Sequence, residues 1–299
     1  MKSLTPREVA DMLKITTNTV YELVKRGELN AYRIGRKMRI EPSDVEEYKR
    51  NTSTGSYIEE NHNGEEFPKG LVLCGQDLVL DVLARYLETE EIGVPVFRSH
   101  QGSYNGLYAL YRGDVQVATC HLWDGETGEY NISYIKSLVP GIPTVIIHLV
   151  CRTQGFYVKK GNPLGIKGWK DLIRPNIKII NREKGSGVRV LLDEQLKLLG
   201  KYGSEINGYE RERTSHIEIA SIVAREKVDL GVGTEIVAKQ VEGIDFIPLQ
   251  KESIELVFKK EDLNKLPFKK IVEILKSKEF ANEIEGIGGY DIRDMGKIL

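Results

Sequence analysis

Two arginines flank a Gly-Ser-Gly sequence in the second half of the chain, and this combination has the chemistry of an anion site. Arg182 and Arg189 stand on either side of Gly185-Ser186-Gly187, where a helix is predicted to begin. A helix N-terminus offers free backbone N–H groups and the positive end of the dipole, and arginine adds planar donors suited to an oxyanion. The glycines alone would indicate no more than a tight turn. A second pair, Gly102-Ser103, stands in a comparable position earlier in the chain, which favours the oxyanion site.

The other candidate ligand residues follow predicted strands. In α/β proteins, ligands bind at the carboxyl ends of parallel strands, next to helix N-termini. In these loops the sequence contains the further candidates Gly75, Gln76, Asp77, Cys120, His121, Asn181, Ser215 and His216. Cys120 and His121 are adjacent, so at a strand end they would point to opposite sides and form a poor nucleophile–base pair. We predict no catalytic residue, no metal site and no cofactor.

The composition excludes several classes of protein. The 299 residues include 43 Lys and Arg against 44 Asp and Glu, and 40% are apolar. This balance excludes collagenous, disordered and disulfide-scaffold proteins. The longest apolar stretch is far shorter than the roughly 20 residues of a membrane helix, and the N-terminus has no apolar leader segment. The three cysteines fit neither a disulfide framework nor a Cys-x-x-Cys zinc site. We therefore expect a cytoplasmic protein of about two domains.

Charge divides the chain into three parts. Residues 1–50 contain more basic than acidic residues, whereas residues 51–66 contain four glutamates and no lysine or arginine. The second segment is rich in Asn, Thr, Ser and Gly, which predicts a flexible acidic linker. Residues 67–299 carry equal numbers of acidic and basic residues. We predict a DNA-binding domain at 1–50, a linker at 51–66 and a ligand-binding domain at 67–299.

The first 50 residues have the pattern of a helix-turn-helix with a wing. Thr5, Pro6 and Glu8 form a helix start with a capping box, and Thr16 can cap a second helix that ends at Gly27. Two short strands then meet at Gly35-Arg36 and form a basic hairpin. Polar side chains of the second helix can reach base edges in a major groove, and the basic hairpin can contact phosphates. The predicted DNA-binding residues are Thr17, Asn18, Thr19, Tyr21, Lys25, Arg33, Arg36, Lys37 and Arg39.

This head resembles the excisionase-type, MerR-related winged helix-turn-helix family. The matching segments are residues 4–10 (LTPREVA), 16–21 (TTNTVY), 27–29 (GEL) and 33–40 (RIGRKMRI). The resemblance implies binding to double-stranded DNA. A basic module that binds protein is the alternative reading.

The remainder alternates strand-like apolar runs with amphipathic helices, which indicates an α/β fold with mostly parallel sheets. It resembles periplasmic-binding-protein-like domains of the molybdate-binding type. The matching segments are residues 114–124 (DVQVATCHLWD), 127–131 (TGEYN), 181–189 (NREKGSGVR), 208–212 (GYERE) and 229–233 (DLGVG). The resemblance implies a two-lobed, type II fold that closes on a small ligand. Lobe 1 would contain about 67–155 and 259–299 and lobe 2 about 156–258, with crossings at 156–159 and 254–258.

Together these features predict a homodimeric, ligand-responsive transcription regulator that is not an enzyme. Its ligand would be a small oxyanion, molybdate or tungstate by resemblance to the family. Three alternatives remain: a sensor of another small organic anion, an enzyme that acts on an anionic substrate on the same scaffold, and an architectural DNA-binding protein whose body only dimerises.

Overall fold

The computed structural model describes residues 3–35, 37–45, 48 and 70–299. The chain divides into two compact units, residues 1–65 and 66–299. The linker predicted at 51–66 lies outside the described residues.

The first unit begins with two short helices that start where the sequence predicts. Helix α1 (Pro6–Leu13) has the capping box: the Thr5 hydroxyl accepts from the Glu8 amide at 3.3 Å, and the Thr5 amide donates to the Glu8 carboxylate at 2.6 Å. Helix α2 (Thr17–Lys25) is capped by the Thr16 hydroxyl, which accepts from the Thr19 amide at 3.2 Å. Strands β1 (Tyr32–Ile34) and β2 (Lys37–Arg39) form the antiparallel hairpin, and residues 42–45 are helical. The buried core of this unit consists of Val9, Ala10, Val20, Leu23, Leu29, Ile40 and Val45.

The second unit alternates strands and helices as predicted. Its strands are β3 (Leu71–Cys74), β4 (Val96–Ser99), β5 (Val117–Cys120), β6 (Thr144–Lys159), β7 (Ile179–Arg182), β8 (Glu212–Arg213), β9 (Leu230–Thr234), β10 (Ile244–Lys259) and β11 (Tyr290–Asp291). Its helices are α3 (Leu78–Thr89), α4 (Ser103–Arg112), α5 (Ile132–Leu138), α6 (Gly187–Leu198), α7 (His216–Arg225), α8 (Glu235–Ala238), α9 (Leu266–Leu275) and α10 (Lys278–Ile287).

The nine described strands of this unit form one sheet, which two long strands divide into lobes. The order is β4-β3-β5-β10-β6-β9-β7-β8, and β11 adds to β6. Strands β3, β4 and β5 are parallel in the first lobe, and β7, β8 and β9 are parallel in the second. The 16-residue strands β6 and β10 pair antiparallel along almost their whole length and run through both lobes. This is the two-lobed α/β architecture that the sequence predicts.

The crossing between the lobes lies beside the segments predicted for it. Residues 255–258 pair with β5 and therefore belong to the first lobe, and residues 154–158 pair with β9 in the second. The polar middle of the two strands connects the lobes, where Arg152 pairs with Glu252 and Gln154 with Gln250. The segments 156–159 and 254–258, which were predicted to be the crossings, lie inside the lobes. They are apolar because strands buried inside a lobe are apolar.

Candidate ligand-binding cleft

Helices α4, α6 and α7 begin close together between the two lobes. Gly102 precedes α4, the Ser186 hydroxyl caps α6 and the Ser215 hydroxyl caps α7. The amide of Tyr104, in the first turn of α4, donates to the carbonyl of Gly185 in the second lobe at 3.1 Å. The lobes therefore touch, and the positive ends of helices from both lobes lie at one cleft. This arrangement favours negative charge.

A second contact between the lobes is polar. The buried Arg182 guanidinium, at the end of β7, donates to the side-chain oxygen of Gln76 at 2.7 Å and to the Thr214 carbonyl at 2.9 Å. It also pairs with Glu183 at 2.8 Å. Gln76 returns a 3.3 Å hydrogen bond from its amide to Glu183. Arg182 thus connects the first lobe, the start of α7 and its own strand.

Arg152, on the crossing strand β6, forms the charged centre of the cleft. Its guanidinium donates to Asp77 at 2.6 Å and to Glu252 at 2.5 Å, and all three side chains are buried. Burial alone would lower the pKa of Arg152, but the charges of Glu252 and Asp77 outweigh it and raise the pKa above its ordinary value. Burial would likewise raise the pKa of Glu252, yet Arg152 and His121 hold it well below its usual range. Arg152 and Glu252 are therefore ionised together at neutral pH.

Two histidines and a glutamine complete the polar lining. His121 Nδ1 lies 2.9 Å from Glu252, and the Gln154 amide donates to the same carboxylate at 2.8 Å. Among the described residues, Gln154 Oε1 and His216 Nδ1 are buried without a hydrogen-bond partner. Burial, followed by the charges of Arg182 and Arg152, lowers the pKa of His216 well below its ordinary value, so the ring is neutral. Burying a polar atom without a partner is unfavourable. Gln154 and His216 therefore form the part of the cleft that can still hydrogen-bond to a ligand.

The structure brings most of the predicted ligand residues to this cleft. Gln76, Asp77, Gly102, Ser103, His121, Arg182, Gly185, Ser186, Gly187, Ser215 and His216 all lie at it or at the helix starts that border it. The Ser103 hydroxyl accepts the His121 amide at 3.2 Å and can still donate. The Ser186 hydroxyl is already used twice, because it donates to the Glu183 carbonyl and accepts the Arg189 amide. Gly75 follows β3, where a Cβ would lie 2.0 Å from Thr119 Oγ1.

Three predicted ligand residues have other roles, and their assignment is corrected. Cys120 is the last residue of β5 and its side chain lies in the apolar core of the first lobe, where burial raises its pKa well above its ordinary value. The Arg189 guanidinium stacks 4.1 Å over the ring of Tyr209 and pairs with Glu212 at 2.6 Å within the second lobe. The Asn181 side chain accepts a hydrogen bond from the Arg182 amide and donates one to the Tyr209 carbonyl, so it holds the backbone of these two residues.

Sequence reasoning missed Arg152, Gln154 and Glu252, which are buried polar residues of the cleft. Their residue-level exposures are 8%, 0% and 0%. The available signal was an arginine directly after the apolar run that ends at Cys151 and a glutamate two residues before the strand segment that begins at Ile254. That signal is weak, because charged residues also end strands at the surface.

The predicted DNA-binding residues lie on the first unit. Asn18, Thr19, Tyr21 and Lys25 are exposed on α2 and Thr17 is half-buried; Arg33 and Lys37 are exposed on the hairpin. Arg39 is half-buried and donates to the Met38 carbonyl. Arg36 lies outside the described residues. Helix α2 and the hairpin therefore present polar and basic side chains to solvent.

Over the same described residues, no cluster of three or more His, Cys, Asp or Glu side chains has the geometry of a metal site. No described helix combines the length and apolar character needed to span a bilayer.

Replacing Gly102 by alanine is expected to keep the lobes apart. A Cβ there would lie 2.6 Å from the Gly185 carbonyl oxygen and 2.7 Å from Ser186 Cα, both backbone atoms of the other lobe. The backbone of Gly102 (φ −69°) suits alanine, so no strain arises within the first lobe. We expect a larger radius of gyration by X-ray scattering in the presence of the ligand, and a loss of ligand affinity of about tenfold or more.

Gly286→Ala is the matched control, since a Cβ at this helical position meets no atom within 4 Å. Unchanged scattering and affinity in Gly102→Ala would contradict the closed arrangement of the lobes.

Comparison with known families identifies both units. A family model described as a PBP superfamily domain matches residues 84–276, and a model described as a helix-turn-helix domain matches residues 3–53. An uncharacterized protein of Bacillus subtilis (strain 168), YvgK, is 40% identical over 304 residues, which cover 99% of this chain and 97% of that protein. These matches confirm a helix-turn-helix unit fused to a periplasmic-binding-protein-like domain.

Solved structures of similar fold are more distant in sequence. A phosphate ABC transporter substrate-binding protein from Clostridium perfringens, solved with bound phosphate, aligns with a TM-score of 0.55 at 16% identity, over 74% of this chain and 98% of that one. The sulfate-binding protein SubI from Mycobacterium tuberculosis aligns with a TM-score of 0.50 at 14% identity, over 74% and 86%. At these identities the likeness establishes the two-lobed fold.

Proposed function

Because the chain belongs to the PBP superfamily and carries a helix-turn-helix unit at its N-terminus, we propose that it is a ligand-responsive DNA-binding regulator whose cleft binds a small oxyanion. The observation that carries the proposal is the convergence of helices α4, α6 and α7, with Arg182 among them, on one closed cleft. Free amides and positive helix ends stabilise an anion without requiring a metal.

The charged side chains of the cleft already balance one another, so the anion would depend largely on neutral donors. Arg152 is paired with Asp77 and Glu252, and Arg182 is paired with Glu183. The anion would be stabilised by Arg182, by the amides that begin the helices and by the Ser103 hydroxyl. A buried anion needs such donors on every oxygen, because desolvation is costly. Two of the structures of similar fold are named for phosphate and for sulfate, which supports the oxyanion class.

Molybdate or tungstate is our specific proposal for the ligand, on the resemblance of the body to molybdate-binding domains. A larger organic anion is the second candidate, favoured by the unpartnered Gln154 Oε1 and His216 Nδ1, which offer bonds that a bare oxyanion leaves unused. We propose no catalytic role for the cleft.

The proposed signal is closure of the lobes. A ligand that binds the closed form better shifts the population toward it, by no more than its difference in affinity for the two forms. We further propose that the chain acts as a homodimer, because a head of about 50 residues offers little DNA interface and paired half-sites supply affinity.

The proposal is tested by selecting DNA sites for the full chain from a random pool and measuring affinity with and without each oxyanion. We expect repeated half-sites about one or two helical turns apart, and an affinity that changes with the active oxyanion. If none of the oxyanions tested changed the affinity for the selected DNA, the chain would not be an oxyanion-responsive regulator, and an architectural role would be left.

Binding to the selected DNA should weaken steeply with salt. The hairpin presents the exposed cations Arg33 and Lys37, and a dimer that neutralises about 6–8 phosphates should give a log–log slope near −5 to −7. In the double variant Arg33→Ala, Lys37→Ala, we expect a shallower slope with nearly unchanged sequence preference. Exchange of the exposed Lys160 for alanine, in the other unit, is the control. If the hairpin variant kept the wild-type slope and affinity, the hairpin would not contact DNA.

A further inference from the structure

A polar cluster outside the cleft surrounds Cys151, on β6. The Cys151 sulfur lies 3.7 Å from Nε2 of His148, and Nδ1 of the same ring lies 3.2 Å from a carboxylate oxygen of Glu255. The Ser253 hydroxyl lies 3.9 Å from the sulfur and donates to Glu255 at 2.5 Å. None of these side chains takes part in the proposed oxyanion site.

A β-bulge creates this cluster. Ile254 pairs with Val150 but the next residue, Glu255, pairs with His148, so Leu149 is an extra residue on β6. Side chains alternate along a strand, so residues three apart would otherwise face opposite sides. The extra residue brings His148 and Cys151 to the same face, which is a common effect of bulges near functional groups.

The connectivity of the cluster is that of an activated nucleophile: a thiol on one ring nitrogen and a carboxylate on the other. His148 and Glu255 are buried, whereas Cys151 is half-buried and therefore within reach of solvent. Hydrogen bonds to Cys151 and Glu255 raise the pKa of His148 to about 9. The second Glu255 oxygen is buried and has no hydrogen-bond partner among the described residues, so the imidazole is the nearby cation that can balance the carboxylate.

The surroundings limit what can reach the sulfur. Cys151 is flanked by Ser253 of β10 on one side and by Asp291 of β11 on the other. Arg293 and Tyr130 are further titratable groups within electrostatic range of the thiol. Because Cys151 is half-buried, a small reagent has the best access to its sulfur. The other two cysteines, Cys74 and Cys120, are buried in the apolar core.

We propose that Cys151 is a redox-modification site for a hydroperoxide, with His148 as its proton carrier. In the reactive pair the thiol proton is already on Nε2 of His148, and the thiolate attacks one peroxide oxygen, so that an S–O bond forms and the O–O bond breaks. The sulfur loses two electrons and the peroxide gains them. The departing hydroxide takes the proton from His148 and leaves as water, and Cys151 becomes a sulfenic acid, which a thiol can reduce again.

The test treats the full native chain with hydrogen peroxide, traps sulfenic acid with dimedone and follows each cysteine-containing peptide by mass spectrometry. We expect Cys151 to react at least about tenfold faster than Cys74, Cys120 or the same Cys151 in urea-unfolded chain, since general acid–base assistance contributes about 10²-fold or more. His148→Asn should remove most of that advantage. His100→Asn, at an exposed histidine of the same lobe, should leave it unchanged.

Two results would overturn the proposal. One is that Cys151 of the native chain reacts no faster than Cys151 of the urea-unfolded chain. This comparison uses the wild-type protein alone, so it does not depend on the folding of any variant. The other is a folded His148→Asn protein, verified by its melting temperature, that keeps the wild-type rate at Cys151.

Discussion

Replacing Arg152 by methionine should lower the free energy of unfolding by about 3–5 kcal/mol, the usual cost of removing one partner from a buried ion pair. Arg152 neutralises both Asp77 and Glu252, which are 6% and 0% exposed. Its removal would leave two buried carboxylates without their cation. Methionine retains most of the packing, so the loss would be electrostatic. Urea unfolding monitored by circular dichroism measures the difference.

Arg85→Met is the matched control. Arg85 also pairs with a glutamate, Glu283, but its side chain is 57% exposed, and such surface pairs contribute about 0–1 kcal/mol. In Arg152→Met the deficit should shrink as the pH falls, because protonation neutralises the unpaired carboxylates. A loss below that of Arg85→Met would show that Arg152 is not the charged centre of the cleft.

Replacing Arg182 by alanine should weaken binding of the oxyanion by about 2–5 kcal/mol, which is about 30-fold or more in affinity. Arg182 is a buried cation that donates to the Thr214 carbonyl just before α7, and it also connects Gln76 of the first lobe to the second. Its loss would therefore remove positive charge from the cleft and weaken closure. Calorimetric titration of the oxyanion into each protein measures the effect.

Lys184→Ala is the control for general electrostatics, because Lys184 is an exposed cation two residues away in sequence. We expect its affinity to stay close to that of wild type. Equal losses in the two variants would mean that long-range charge, rather than contact with Arg182, attracts the anion.

The sequence predicts the features of this fold that depend on neighbouring residues. Thr5 and Thr16 cap their helices as expected, because a cap needs only a hydroxyl and an amide three residues away. Alternation of strands and helices also predicts the α/β fold, and the resemblance to periplasmic-binding-protein-like domains implies its two lobes. Most candidate ligand residues lie at one cleft, because the strands that they follow end at that cleft.

The charged centre of the cleft could not be predicted in this way. Arg152 and Glu252 are 100 residues apart and meet only through the antiparallel register of β6 and β10. The same limit explains Cys120, which follows the expected strand but whose side chain points into the core. The role of Arg189 depends on Tyr209 and Glu212, which reach it from a neighbouring segment. Register and side-chain direction are tertiary properties, and a single sequence constrains them weakly.

Calorimetric titration of molybdate, tungstate, sulfate and phosphate into the full chain tests the central claim most directly. The account predicts saturable binding of at least one of these oxyanions well below millimolar concentration, and weaker binding by Arg182→Ala and Gly102→Ala. If none of the four binds below millimolar concentration, the cleft is not an oxyanion site, and the assignment of the ligand is wrong.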